Sequence, residues 1–307
     1  MPSTTVDNTV TSRARTNRAK APSVRTSGRP DRDTRIKRVM YATGGVLATL
    51  VFGIPLLLAL IRAGQPGTVV VAAPGSTFFD LSLGNIRQVL SQPELARSVL
   101  NSGIVSVSTA ILTAVLATLA GYGFAKFRFT ARGPLFGAIL LTMMVPFQAI
   151  LTPLYLQMNA MHLTDNLFGL VLFYTTVNLP FGIFVMRSSF AAVPSELEDS
   201  GLVDGAGTLR LLTSVLRPLI MPGAATVALY AFLASWTEFL AALTLLTNQD
   251  LYTLPVSLTN LQQGTYGQVD FGLLAAGSVV AMIPCVILYI ALQRYYVAGL
   301  ATGSVKG

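Results

Sequence analysis

Residues 193–218, VPSELEDSGLVDGAGTLRLLTSVLRP, are the longest polar segment between hydrophobic blocks after the N-terminal tail. Ser195 stands as an N-cap with Glu198 three residues on, the spacing of a capping box, and Glu196, Glu198 and Asp199 place negative charge on the positive end of a helix dipole. The spacing therefore predicts a short helix starting at Ser195. Gly205 and Gly207 stop it, Thr208 caps a second helix with Leu209, Leu212 and Leu216 on one face, and Pro218 marks the turn into the next apolar block. The expected unit is a compact helix-turn-helix. Between its acidic start and its basic end at Arg210 and Arg217 lie Ser200, Gly201, Gly205, Ala206 and Gly207, side chains small enough to let another surface approach the backbone. A plain connector between two apolar helices needs none of this.

The surrounding composition fixes the class. The chain is 52% hydrophobic and 11% charged with a mean hydropathy of +0.63, against roughly a quarter charged in soluble domains. It reads as an all-α, polytopic integral membrane protein. One cysteine, Cys285, cannot form an intrachain disulfide, and one histidine, His162, makes no metal cluster. Residues 1–37, rich in Thr, Ser, Arg and Pro, bury too little apolar surface to fold and read as a disordered cytoplasmic tail, with the membrane domain at 38–307. Beside a span, the tail's basic residues are expected to rest on anionic lipid and not on nucleic acid.

An uncharged block at 39–60 is long enough to cross a hydrocarbon core of roughly 30 Å, too long for a signal-peptide core and followed by no convincing cleavage site. Further blocks at 99–125, 134–157, 166–186, 219–246 and 271–293 bring the expectation to six spans. With the N-terminus inside, 18 Lys and Arg fall on the cytoplasmic side and only Arg62, Arg87 and Arg97 outside, a strong positive-inside asymmetry. Both termini and the 188–217 loop are then cytoplasmic. Outside, 63–98 holds a strand-like run at 68–73 and an amphipathic pattern in Ile86, Val89, Leu90 and Leu95, and 247–270 reads as a polar loop containing Gln262, Gln263, Gly264 and Tyr266. Either is a connection or a docking surface.

Polar and kinking residues inside the blocks mark a candidate path: Pro146, Gln148 and Pro153, then Asn178 and Pro180, then Trp236, Thr237 and Glu238, and finally Pro284. Prolines free carbonyls that membrane helices tolerate at packing contacts or beside a wet cavity. Glu238 is the one acidic or basic side chain well inside a block, which makes function its default reading. Two roles are open: lining a passage with Trp236, the carboxylate accepting hydrogen bonds and the indole offering an apolar face, or pairing across a subunit contact.

The sequence holds no phosphate-cradling G-x-x-x-x-G-K-[ST], no H-E-x-x-H, no G-x-S-x-G and no intramembrane acidic relay. No catalytic residue, metal site or cofactor is expected in the chain itself, and power must come from elsewhere.

The central segment resembles the EAA loop of importer-type ATP-binding-cassette permeases. Asp199, Ser200 and Gly201 fall at the E-A-A positions, Gly205 at the glycine, Val215 and Arg217 at the Ile and Leu, and Pro218 at the proline. Arg217 departs from the pattern by replacing an apolar residue. The flanks 193–197 and 203–206, Asn101-Ser102, the run 122–127, Trp236-Thr237-Glu238-Phe239 and the ending 293–300 with 305–307 are similar to the maltose-type second permease subunit of the carbohydrate-uptake branch. The resemblance covers residues 81–307. It implies a subunit of a bacterial cell-membrane sugar importer, heterodimeric with a second permease, served by an extracytoplasmic sugar-binding protein and driven by two ATPase subunits that hold ATP and magnesium. Glu196, Glu198, Asp199, Ser200, Gly201, Asp204, Gly205, Ala206, Arg210 and Pro218 are the expected coupling residues, and Glu238, Trp236, Gln148 and Asn178 the expected path residues. The competing readings are an ion-coupled secondary carrier, which calls for repeated spans with midplane acids, a membrane-anchored enzyme, for which no constellation exists, and a permease for a non-sugar solute such as glycerol phosphate.

Overall fold

The computed structural model describes residues 32–65, 82–203, 205–263 and 270–303. Expectations on residues 1–31, on the run 68–73 and on Asp204, Gly264 and Tyr266 lie outside them. Among the described residues the regular elements are helices, with no strand.

The chain divides into two compact units at Ile54 and Pro55. The described part of the first is the start of α1, Arg32–Gly64, whose side chains at Leu50 and Phe52 are exposed. This helix begins inside the basic segment assigned to the tail, because Arg and Lys are good helix formers and extend a helix once the apolar stretch has nucleated it.

The second unit is built around three long helices, α3 (Pro93–Lys126), α6 (Leu167–Ala191) and α9 (Arg217–Thr237). Pro93 and Glu94 sit in the first turn of α3 and Lys126 in its last, each matched to its end of the helix. Asn166 caps α6 by accepting the Phe168 N–H at 2.8 Å. Close approach of the three helices depends on glycine. A Cβ at Gly182 would stand 2.8 Å from Ala117 Cβ and 3.0 Å from Val227 Cγ1, and one at Gly121 would stand 2.5 Å from Met186 Cβ. One core joins Leu170, Phe173, Tyr174, Leu245, Leu246 and Val256, and a second, at the other end of α6, joins Met186, Phe190, Leu211, Leu216 and Val227.

Three features depart from the sequence reading. The expected third span is two helices, α4 (Arg132–Thr142) and α5 (Phe147–Ala160), bent by 101°. Pro146 drives its predecessor out of the helical region, and residues 143–145 unwind through N–H bonds to the third residue back, at 3.1 to 3.3 Å. The described residues thus hold five helices long and apolar enough to cross a membrane, plus this elbow. The expected block 219–246 also breaks, since α9 ends at Thr237 and a short α10, Leu240–Leu245, follows. Finally, 247–270 is not all loop. After a 3-10 turn at Gln249–Leu251, α11 runs Leu254–Gln263, held because Leu254 and Val256 are fully buried and the Leu254 N–H donates to Ser102 Oγ at 2.8 Å. The last helix, α12 (Phe271–Gly303), starts on Asp270, whose Oδ1 accepts the Leu273 N–H at 2.9 Å. Beside it, α2 (Gly84–Ser91) buries Val89 with Leu95 and Leu273 while Leu90 points outward.

Candidate functional site

The acidic half of 193–218 forms α7, Ser195–Val203. Ser195 is its first helical residue, and Glu198 does not close a capping box, because its carboxylate turns to Lys126 at the end of α3. Oε1 of Glu198 meets the ammonium as a charge without hydrogen-bond geometry, and both side chains are largely shielded, 16% and 13% exposed. The same ammonium donates to the Val193 carbonyl at 3.1 Å. The helix ends in a Schellman arrangement: Gly205 takes φ +78°, and the Ala206 N–H donates to the Gly201 carbonyl at 3.0 Å. Gly201 is buried, since a Cβ there would stand 2.6 Å from Leu211 Cδ1.

The second half differs from the expected separate helix. After Gly207, which caps with no side chain, a single helical turn α8, Thr208–Arg210, passes into a π turn at Leu211–Leu216 and on into α9 without a break. Pro218 has no N–H and its ring crowds the carbonyl four residues back, and widening the turn before it relieves both. The buried face is Leu211 and Leu216, not the expected Leu209, Leu212 and Leu216 set; Leu212 and Val215 only flank it, and the Leu209 side chain lies outside the described residues. Arg217, which departs from the family pattern, is exposed and costs the packing nothing. Outward-facing residues of the segment are Glu196, Leu197, Asp199, Ser200, Val203, Gly205 and Arg210, with Val203 88% exposed. Arg132 supports the neighbouring end of α3, donating to the Ala125 and Phe127 carbonyls at 3.1 and 3.3 Å.

At the other end of the molecule Glu238 occupies the break after α9. Its carboxylate accepts the backbone N–H of Leu240 at 2.8 Å, of Ala241 at 3.0 and 3.1 Å and of Ala242 at 3.3 Å, and the Tyr174 hydroxyl at 2.7 Å. A carboxylate offers about four lone-pair sites, so the set is full. Glu238 starts α10 and ties it to α6. Trp236 does not join it: the indole is 4% exposed, stacks on Phe232 and donates to the Ala281 carbonyl at 2.9 Å. Asn178 is also turned inward, donating to the Tyr174 carbonyl at 2.8 Å, and Gln148 is exposed on α5.

Opening off the elbow is a cavity of about 770 Å³ lined among others by Pro146, Phe147, Gln157, Thr176, Phe181 and Tyr230. The Phe181 and Tyr230 rings lie 4.1 Å apart. Near the Glu238 end, loops are pinned by polar side chains. Asp165 Oδ1 accepts the Thr247 and Asn248 N–H groups at 3.0 and 2.8 Å, which holds its carboxyl below the ordinary range, the Asn248 bond most of all. Asn101 donates to the Asp250 and Tyr252 carbonyls at 2.9 and 3.1 Å, and Arg97 pairs with Asp250. Among the described residues no cluster of three or more His, Cys, Asp or Glu could hold a metal.

Sequence reasoning missed Lys126 and Tyr174 as partners of the two acidic residues. Lys126 carried a partial signal, as a cation closing an apolar block on the side assigned to the acidic 188–217 loop; Tyr174 carried none.

Residues 111–302 match the family described as binding-protein-dependent transport system inner membrane component. ABC transporter permease protein ORF1 of Streptomyces antibioticus is 39% identical over 225 residues, 73% of this chain and 97% of that one. The trehalose transport system permease protein SugB of Mycobacterium tuberculosis is 32% identical over 268 residues, 85% of this chain and 96% of that one. In fold, the chain is similar to a bacterial ABC transporter involved in the import of the acidic polysaccharide alginate, with a TM-score of 0.75 at 23% identity over 88% of this chain and 100% of that one. A family match running from α3 into α12, with two relatives aligned over nearly their full lengths, settles the assignment: this multi-pass chain belongs to the inner membrane components of binding-protein-dependent transport systems, the permeases of ABC transporters.

Proposed function

We propose that the chain is one of two unlike permeases of an ATP-driven carbohydrate importer, with α7 as the surface that docks on an ATPase subunit. One observation carries this reading: α7 is a short helix fixed on three sides, by the Lys126 ion pair, the Gly201 contact with Leu211 and the Gly205 turn, which leaves Glu196, Leu197, Asp199 and Val203 pointing away from its own chain. A rigid protruding element of this kind can be moved as a body by a partner. ATP and magnesium are held by two copies of that ATPase, a binding protein delivers solute from outside, and both termini face the cytoplasm, as the positive-inside asymmetry supports. The full-length likeness to a trehalose permease supports a sugar as cargo. Passage is assigned to the cavity beside the elbow, where aromatic rings with Gln157 and Thr176 suit a hydroxylated solute and Gln148 lies within one helical turn. Glu238 shapes that end of the molecule as a cap.

The test is reconstitution. In liposomes this chain by itself, with ATP and labelled trehalose, is expected to accumulate nothing. With its sibling permease, ATPase and binding protein, it is expected to accumulate sugar in an ATP-dependent way. Accumulation by the isolated chain overturns the subunit reading.

A further inference from the structure

The permease's coupling helix is attached to its own core at two places of different kind. On one side, Gly201 lies against Leu211, which leads through the π turn into α9. On the other, a single ammonium joins three parts of the chain: Lys126 closes α3, donates to the Val193 carbonyl in the connector after α6, and pairs with Glu198 in α7. The apolar contact lies along the covalent path, because the chain runs from α7 through 205–210 into α9. No such path links α7 to α3, whose nearest residue in sequence is separated from Glu198 by α4, α5 and α6. α3 packs against both α6 and α9 at the centre of the bundle, with Ala117 fully buried between them.

We propose that Lys126 is a positioning residue for transport, the link that passes displacement of α7 to α3. The proposal rests on the assignment of α7 as the ATPase-docking helix. When a partner moves α7, α9 follows through Leu211 whether or not Lys126 is present. α3 is also reached through its packing on α9 and α6, but the end of α3 is joined directly to α7 only by the ion pair, with the Val193 bond beside it. Without Lys126 the end of α3 is expected to lag behind α7, so that the bundle closes incompletely and hydrolysis continues with little solute moved. The shielding of the pair favours this role, since an exposed surface ion pair would be too weak to transmit force.

The experiment uses the complete transporter, with sibling permease, ATPase and binding protein, purified and reconstituted, and reads sugar transported per ATP hydrolysed. Lys126→Met is expected to lower that ratio about ten-fold, within the usual range of coupling between two sites, while hydrolysis per assembled complex stays within about two-fold of the parent. Lys126→Arg, which keeps the charge, is expected to retain most of the ratio. Glu198→Gln is expected to reproduce the loss, and the double variant to be no worse than either single one. A residue needed only for stability would lower the yield of complex and leave the ratio alone. An unchanged ratio in Lys126→Met or additive losses in the double variant overturn the proposal; should Lys126→Met not assemble, an unchanged ratio in Glu198→Gln does the same. If instead the parent chain fails to associate with any ATPase, it is the docking assignment that fails.

Discussion

At Glu238 a carboxylate in an apolar setting finds five hydrogen-bond contacts within its own chain. Bonds to a charged acceptor contribute about 2 kcal/mol each, less where several share one oxygen. Glu238→Gln is therefore expected to lower the thermal stability of the assembled complex, with Tyr174→Phe acting in the same direction by a smaller amount. Apparent sugar affinity should stay near the parent value in both, and an affinity change without loss of stability would return Glu238 to the passage. Asp165 gives a pH dependence. Its folded-state carboxyl titrates below its unfolded value of about 3.9, so its contribution is fully present above that value and is lost as pH falls through the lower folded one. Thermal unfolding followed from pH 6 down to 3 should show a steeper acid limb in the parent than in Asp165→Asn.

Among the elements, α7 rests on glycine at two positions for opposite reasons. Gly205 needs its φ of +78°, yet a Cβ there would meet nothing within 4 Å. Gly205→Ala should therefore cost only about 1 kcal/mol of left-handed strain and leave transport measurable. Gly205→Trp adds bulk to the face proposed to dock the ATPase, and is expected to abolish transport and ATPase co-purification while insertion into the membrane, read by immunoblot, is unchanged. The sequence showed where α7 begins and ends, because caps, glycines and charges are local signals. It did not show the π turn or the continuity of α8 with α9, because both follow from how Leu211 and Leu216 pack under a core formed by distant residues. The elbow was missed for a related reason. Hydropathy over 134–157 records that the residues are apolar and not that the chain turns, and only Pro146 hinted at the bend. The identity of Glu238 as exceptional was legible from its charge alone, whereas its partner Tyr174, 64 residues earlier in the chain, was not.

For the molecule as a whole, the glycine contacts and buried side chains of α3, α6 and α9 coexist with long apolar faces left uncovered by the chain, as at Ile104, Ile111 and Val115 on α3, each more than half exposed. These faces need lipid or a second apolar surface. Co-expression with the proposed sibling permease is expected to raise the temperature at which the detergent-solubilised chain aggregates, and an unchanged temperature would mean that lipid alone covers them. One further consequence belongs to Lys126. It is the sole lysine between Lys37 and Lys306, so an acylating reagent that modifies primary amines, followed by mass spectrometry of the peptide holding residue 126, reads a single nitrogen. Shielded by Glu198 and Val193, that nitrogen should acylate slowly, and a contact that holds while α7 moves should label no faster during turnover than at rest in the unmutated protein.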